Sequence, residues 1–376
     1  MTSAAQVQPV LTPLELEAFI RFPFRLHRQD PHWVPPLLME RREFYHPEKN
    51  PVFEYARVQL FSARRDGAVV GTIAAIRNQR YCEYHPNDAG VGFFGAYECV
   101  DEQPVADALF AAAGGWLKEQ GKTVMRGPVN LTTNDVVGLL VDGFGDDPAL
   151  MMPYNPPYYA GQFDAAGFTQ AKDLFAFSLT TREYAGRLDR VTRRLAERGR
   201  IRIRPVDLGR WKEELEFVRS CYNQAWADNW GFVPWTDREL DFIAKELKPL
   251  IDPRLAFMAE VEGVPAGFAI SVPDANEAIK LARGRLFPLG LLKILWKLKV
   301  TKCSRIRTIA MGVLPQHRKR GLDAFLVGHL IESAKAMGYS GSEMGWILED
   351  NLPMLSALEQ IKARKTKTYR VYDRSV

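Results

Sequence analysis

The feature that most constrains this chain is a plan written twice. Val58 to Asn78 reads "VQLFSARRDGAVVGTIAAIRN", two β-rich runs about a turn at Asp66-Gly67, with a second glycine at Gly71. Leu255 to Asp274 reads "LAFMAEVEGVPAGFAISVPD", with Glu262-Gly263 at the turn and Gly267 four residues on. Alternation and turn residues make each a β-hairpin. Both halves then place a helix that ends in glycine and leads into a strand: "ADALFAAAGGWLKEQGKTVMRG" with Gly121, and "AFLVGHLIESAKAMGYSGSEMGW" with Gly338. The shared order is strand, helix or helices, hairpin, strand, helix, strand, helix, strand. It predicts an α/β chain made by internal duplication. The charged helix "YAGRLDRVTRRLAERG", Tyr184 to Gly199, is the expected connector, which gives domains at 1–183 and 184–376.

A length of 376 residues accommodates two ordinary domains, and 47% hydrophobic with 25% charged residues is a globular composition. A net charge of +5 is too small an excess to predict a nucleic-acid partner. Cys82, Cys99, Cys221 and Cys303 form no CxxC pair and have no His at metal spacing, so reduced structural thiols and no metal are expected. The first residues lack the basic-then-apolar pattern of a signal peptide, and no apolar run has the length of a membrane span. A cytoplasmic location is the resulting expectation.

The most chemically suggestive stretch is "VLPQHRKRGLDAFL", Val313 to Leu326, where an apolar strand turns into an apolar helix through Arg318, Lys319, Arg320 and Gly321. The first turn of a helix leaves backbone N–H groups unpaired and carries the positive end of the dipole. Glycine there admits a phosphate close to the backbone, and the basic side chains add charge. A solvated basic turn is the plain alternative.

With those residues in place, Ile309 to Asp373 resembles the core of the GNAT superfamily of acyl-CoA N-acyltransferases. That family's pyrophosphate loop runs Gln or Arg, two residues, Gly, one residue, Gly or Ala; here Arg318, Gly321 and Asp323 fall on it. The Leu255–Asp274 hairpin matches the family's second and third strands, and "GSEMGWILEDN" its fifth, with Asn351 opening the next helix. The resemblance implies two tandem GNAT-like domains, each a mixed, mostly antiparallel sheet flanked by helices. It also implies an acyl donor carried on CoA or on acyl carrier protein and held at Val313, Arg318, Lys319, Arg320, Gly321, Leu322 and Asp323. Two departures stand out: Asp323 replaces a small residue, and Leu358 falls where many members carry a thiolate-protonating tyrosine. In the first half the equivalent loop, "ECVDEQPVADALF", is acidic and lacks glycine, while Asn155 to Phe168 keeps the family's Asn-to-Gly-Phe helix. One donor site per chain is expected, in the second half.

Acyl transfer to an amine needs a base for the ammonium proton and donors for the carbonyl oxygen. Backbone N–H groups near Val313, where family members splay two strands apart, fit the second need. Glu343, Glu349 and Asp350, with Asn351 beside them, are candidates on or after the fifth strand; solvated or capping acids are the structural alternative. Alternation puts Glu343 and Gly345 on one face and Met344 and Trp346 on the other. Tyr222, Asn223, Asn229 and Trp230 in "CYNQAWADNWGFVPW" are candidates for an acceptor pocket, although tryptophans so crowded also suit a core. "GPVNLTTNDVVG" and "MMPYNPPYY" read either as a lid or interface wall or as packed turns.

"GRLFPLGLLKILWKLKV", Gly284 to Val300, is inserted between the hairpin and the fourth strand. Leu291, Leu292, Leu295 and Leu298 follow helical spacing, with Lys293 and Lys297 on another face. Such a helix lies on a bilayer surface, walls an apolar tunnel, or packs in a core. Together with "HWVPPL", "NPVFEYA", "GPVNLTTND", "NWGFVP", "GRLFPLG" and "KTYRVYD", it makes the chain similar to the tandem-GNAT family that includes bacterial ceramide synthases. That resemblance implies a long-chain acyl group transferred to a sphingoid-type lipid amine, with peripheral membrane association through 284–300. The rivals are a GNAT enzyme acetylating a small amine or a protein lysine, an aminoacyl-transfer enzyme of the peptidoglycan-bridge type, and a non-catalytic acyl-CoA or lipid sensor.

Overall fold

The computed structural model describes residues 4–181 and 201–376; the connector expected at Tyr184 to Gly199 lies outside them. The chain is α/β and packs as two compact units. The first comprises the described residues up to Leu174 with Ile279–Leu292 and Lys367–Val376, and the second the described residues of Phe175–Ala278 with Lys293–Thr366.

In the first unit, β1 (Gln6–Pro9), β2 (Ala56–Arg65), β3 (Ala68–Asn78), β4 (Val91–Cys99) and β5 (Val124–Gly127) are neighbours in that order. All these pairs are antiparallel except β4 with β5. β6 (Leu139–Asp142) and the start of β7 (Thr169–Thr180) complete the unit's own run of the chain. In the second unit, β8 (Ile201–Pro205), β9 (Ala256–Val261), β10 (Val264–Pro273) and β11 (Arg305–Val313) form an antiparallel run. β12 (Gly341–Leu348) then lies parallel to β11, with the end of β7 beyond it. β13 (Arg364–Ser375) closes the chain, its last part antiparallel to β5 and β6 within the first unit.

The two hairpins use the same turn. Asp66 and Gly67 have φ of 50° and 79°, and Glu262 and Gly263 have 54° and 84°. Two successive left-handed residues match the twist of the flanking strands, and glycine in the second position removes the steric cost there. The recurring second glycine is a close-approach site. A Cβ on Gly71 would stand 2.7 Å from Leu109 of the helix Gln103–Glu119, and one on Gly267 2.8 Å from the Gly312 carbonyl.

Helices flank the second unit's sheet on both faces. Val218, Cys221 and Tyr222 of the helix Trp211–Ala225 pack with Met258, Phe268 and Ala310. Leu322, Leu326 and Leu330 of the helix Leu322–Ala336 pack on the other side with Phe257, Ala259 and Ala269. No described helix is long and apolar enough to cross a membrane.

Candidate active site

The site begins with one extra residue in β11. Ala310 pairs with Ile270 and Thr308 with Ser271, so Ile309 has no partner opposite it on β10. A bulge of this kind bends its strand and re-aims the residues beyond it. β12 pairs with β11 only from Arg305–Gly341 to Thr308–Met344, although β11 continues to Val313 and β12 to Leu348. The two strands therefore part as a V. Leu314 N–H bonds the Ala266 carbonyl at 2.9 Å, so by the two-residue repeat Met311 and Val313 turn their peptide groups the other way, into the V. The Met311 carbonyl is taken by the Trp226 indole N–H at 3.1 Å.

A cavity of about 860 Å³, its open mouth included, occupies this V. Thr308, Met311, Met344 and Trp346 line it from the strands, Ile331 and Leu358 from the helices Leu322–Ala336 and Leu352–Gln360. Ile306 and Ala334, both buried beside Tyr339, lie at the paired end. Apart from two indoles, its polar side chains are the hydroxyls of Thr181, Thr308 and Ser342. The Trp346 indole N–H is buried and has no partner among the described residues, so it is a donor left for a ligand carbonyl. An apolar lining with a few hydroxyl and indole groups is the character of a small-molecule site.

At the mouth of the V stands the strand–turn–helix that the sequence singles out. Pro315–His317 form a 3₁₀ turn, Lys319 has φ of 63°, and Gly321 has φ of 78° at the N-cap of Leu322–Ala336. No side chain caps that helix, and its first backbone bond runs from Phe325 N–H to the Gly321 carbonyl at 3.1 Å. The earlier amides of the turn thus stay available to an anion. Lys319, Arg320 and Asp323 are exposed. Arg318 is turned elsewhere: its guanidinium donates to the Ala225 carbonyl at 2.7 Å, where it caps the C-terminal end of Trp211–Ala225. Asp323 does not turn back to cap the helix.

The expected catalytic and acceptor residues are distributed unevenly about the V. Glu343 is buried but absent from the cavity lining. Its partner in the ladder is Arg307, which donates to the Gly345 carbonyl, and Arg305 approaches it to 3.9 Å while bonding buried Asp274 at 2.7 Å. That arrangement is a buried ionic girder beneath β10 to β12. Glu349 and Asp350 lie in the turn beyond β12, next to the lining residue Ile347, Glu349 half-buried and Asp350 exposed. Asn351 is the N-cap of Leu352–Gln360, accepting from Met354 N–H at 3.2 Å. Tyr222 stacks on Trp235 with centroids 3.8 Å apart, and Asn223 accepts from Trp235 N–H at 3.0 Å. The backbone carbonyl of Asn229 accepts from Phe232 N–H at 3.2 Å, and Trp230 is half-buried. None of these four lines the cavity, whereas Trp226 from the same segment does. Thr308, Ser342, Met344 and Trp346 are site residues that sequence reasoning does not single out; the shared face of the last three is readable from alternation, while the V that exposes it is expected only from the family resemblance.

The first unit repeats the V and fills it. β4 and β5 pair only from Val91–Val124 to Phe93–Arg126, although β4 continues to Cys99. The loop "GPVNLTTND" occupies the gap: Val129 N–H bonds the Phe94 carbonyl at 2.7 Å, and Asn130 accepts from Ala96 N–H at 2.9 Å. A Cβ on Gly95 would lie 2.1 Å from the Val129 carbonyl. Phe94, Tyr97, Phe110, Phe163 and Phe168 pack together beneath it. "MMPYNPPYY" is likewise packed: Asn155 bonds both the N–H and the carbonyl of Leu140, and Tyr158 donates to the Cys99 carbonyl. Where the second unit has its glycine cradle, this one has Glu102 at the N-cap, bound to Arg65 at 2.7 and 2.9 Å.

A bulged and splayed β11–β12 pair, with a glycine-led helix behind it and the same plan repeated in one chain, defines a tandem GNAT fold. Solved structures agree. A tandem GNAT protein from the clavulanic acid biosynthesis pathway superposes with a TM-score of 0.57 at 12% identity, covering 99% of this chain and 98% of that one. A GCN5-related N-acetyltransferase from Sphaerobacter thermophilus gives 0.52 at 11% identity, covering 100% and 96%. In sequence, the chain is 38% identical to the bacterial ceramide synthase of Caulobacter vibrioides, over 98% of this chain and 97% of that protein. It is 35% identical to protein YghO of Escherichia coli, over 98% and 95%. No family profile matches it. The chain belongs to the family of tandem GNAT-fold N-acyltransferases that contains that ceramide synthase.

Proposed function

We propose that this enzyme joins a long-chain acyl group from a CoA thioester to the primary amine of a sphingoid-type lipid, forming an amide and free thiol. The observation that carries the reading is the apolar cavity in the V, which lies behind the uncapped helix end and ends at Ile306 and Ala334. An acetyl group has no use for such a space; burying an alkyl chain there contributes about 0.8 kcal/mol per methylene. Full-length similarity to a ceramide synthase supports the same substrate class.

In this reading the amides of Gly321 to Asp323, with Lys319 and Arg320, hold the pyrophosphate, and Leu322 anchors the turn from beneath. Acyl carrier protein presents a single phosphate to the same turn and is the other donor the site accommodates. The pantetheine arm follows β11 into the V. Val313 or Met311 N–H receives the thioester oxygen, and the Trp346 indole is a second donor for a carbonyl of the arm. The amine nitrogen attacks the carbonyl carbon, the oxygen gains negative charge against those donors, and the C–S bond breaks as the carbonyl re-forms. Glu349, with Asp350 beside it, takes the proton that nitrogen loses. With Leu358 at the position of the family tyrosine, the thiolate is protonated from water; its thiol has a pKa near ~8.5, so no dedicated acid is required at neutral pH.

Thiol release by the purified protein tests this, with palmitoyl-CoA or acetyl-CoA as donor and a sphingoid base or a small polyamine as acceptor. Turnover confined to the long-chain pair is expected. Turnover with acetyl-CoA and the polyamine would overturn the lipid assignment, and silence with every pair would favour a binding protein.

A further inference from the structure

Among the described residues, the inserted segment carries a long run of exposed large apolar side chains. The helix Gly290–Trp296 continues into a π-helical turn, Lys297–Thr301. Within the second unit, Leu295 is 45% exposed, Trp296 61% and Val300 56%. Leu298 is turned inward, onto the cluster of Leu255, Cys303 and Tyr339. The expected helix therefore forms, and it shows Leu295 and Trp296 to solvent, with Ile294 buried, instead of walling the cavity.

Next to these residues is a second basin, of about 920 Å³ with its open mouth. Lys299, Lys302, Arg254 and the carboxylate of Asp252 line it together with Leu298 and Met337. The charges are not balanced. Arg254 is satisfied by Asp252 at 2.7 and 3.0 Å, and Lys297 outside the basin by Glu277 at 3.1 Å. Lys299 and Lys302 form no ion pair among the described residues, and neither does Lys293 earlier in the helix. The carboxylate that Lys299 senses at longer range is Asp252, already engaged by Arg254. An exposed tryptophan and leucine beside uncompensated lysines is the pattern of a segment lying in a membrane interface. A basin with two spare ammonium groups, beside the exposed Leu295, Trp296 and Val300, suits a phosphate with a hydrocarbon attached.

We propose that the basin of Lys299, Lys302 and Arg254 takes the phosphate headgroup of an anionic membrane lipid while Leu295, Trp296 and Val300 enter the acyl boundary. This deepens the lipid reading and rests on it for its purpose, since both substrates of such an enzyme partition into bilayers. A free phosphate offers the same anion without the hydrocarbon, and the apolar rim argues for the lipid.

Flotation of the full chain with vesicles tests it. Vesicles of phosphatidylcholine containing phosphatidylglycerol are expected to carry the protein, and phosphatidylcholine alone to carry at least about tenfold less. The variant Lys299→Glu/Lys302→Glu should lose about tenfold or more of the binding. Leu295→Ser/Trp296→Ser should lose it as well, through the apolar contribution. Both should keep thiol release with detergent-dispersed substrates, and inorganic phosphate should not displace the protein. Equal flotation of parent and charge variant would overturn the proposal. So would displacement by inorganic phosphate, or a dimer in light scattering that Trp296→Ser dissolves, since a second copy would then cover the face. Flotation of a protein that transfers no acyl group would leave the docking intact and refute the catalytic reading instead.

Discussion

Asp135 shows how a motif residue can be structural and still titrate visibly. It sits in the "GPVNLTTND" loop that fills the first unit's V, accepting from Val136 N–H at 2.6 Å. Burial pushes its carboxyl up to about 6, against the pull of Arg41, which is itself paired with Glu40. A carboxyl raised in the folded state stabilises least when ionised: stability is greatest below the unfolded pKa of about 4 and is lost as pH rises through about 6. With its partial exposure the loss is about 1–3 kcal/mol. Thermal melts from acid to neutral pH should show this decline in the parent and a flatter profile in Asp135→Asn; equal slopes would contradict the assignment. Other single residues differ in how far their roles are legible. Arg318 is expected at phosphate and caps a helix, whereas Asn351 opens the helix that the family resemblance assigns to it. Alternation places Glu343 on the strand face opposite Met344 and Trp346, and the Arg305 that approaches it comes from β11, which strand periodicity does not bring beside it.

Among the elements, the hairpins are the most readable because their turns are fixed by local chemistry: acid-glycine pairs at left-handed φ leave little choice. The glycine cradle is readable for the same reason. The bulge at Ile309 is not, because an extra residue in a strand leaves no mark in composition and is defined only by the partner register. That bulge accompanies the V, and so the parting of the strands is expected from the family resemblance and not from local pattern. The helix Leu322–Ala336 follows the V along its length, with Val327 and Ala334 both in the lining. Substituting Ala334 by Phe should shorten the chain the cavity accepts. The expected result is a loss of at least about tenfold in kcat/KM with palmitoyl-CoA, the worth of roughly two methylenes at ~0.8 kcal/mol each. With a short-chain donor the effect should be small. Uniform loss across donor lengths would mean that the acyl chain lies elsewhere, and Ala334→Leu provides the milder check should the larger ring disturb packing.

For the whole molecule, duplication kept the plan and divided the work. Both units splay the strand pair that precedes a helix; one fills the gap with a loop and aromatic rings, and the other leaves it open behind an uncapped helix end. The acidic first-half loop announces that difference in the sequence, since Glu102 at an N-cap repels phosphate and binds Arg65 instead. Less legible is the membership of distant segments: Lys367–Val376 and Ile279–Leu292 join the first unit, through pairings that local pattern does not encode. The most direct test of a single donor site behind the glycine-led helix is calorimetric titration of a non-hydrolysable thioether analogue of palmitoyl-CoA into the full chain and into Gly321→Glu. The fold of the variant is checked by circular dichroism, because its left-handed φ of 78° adds about 1 kcal/mol of strain. The predicted result is a single donor bound per parent chain and none by the variant. Two donors per chain, or unchanged binding by Gly321→Glu, would contradict it.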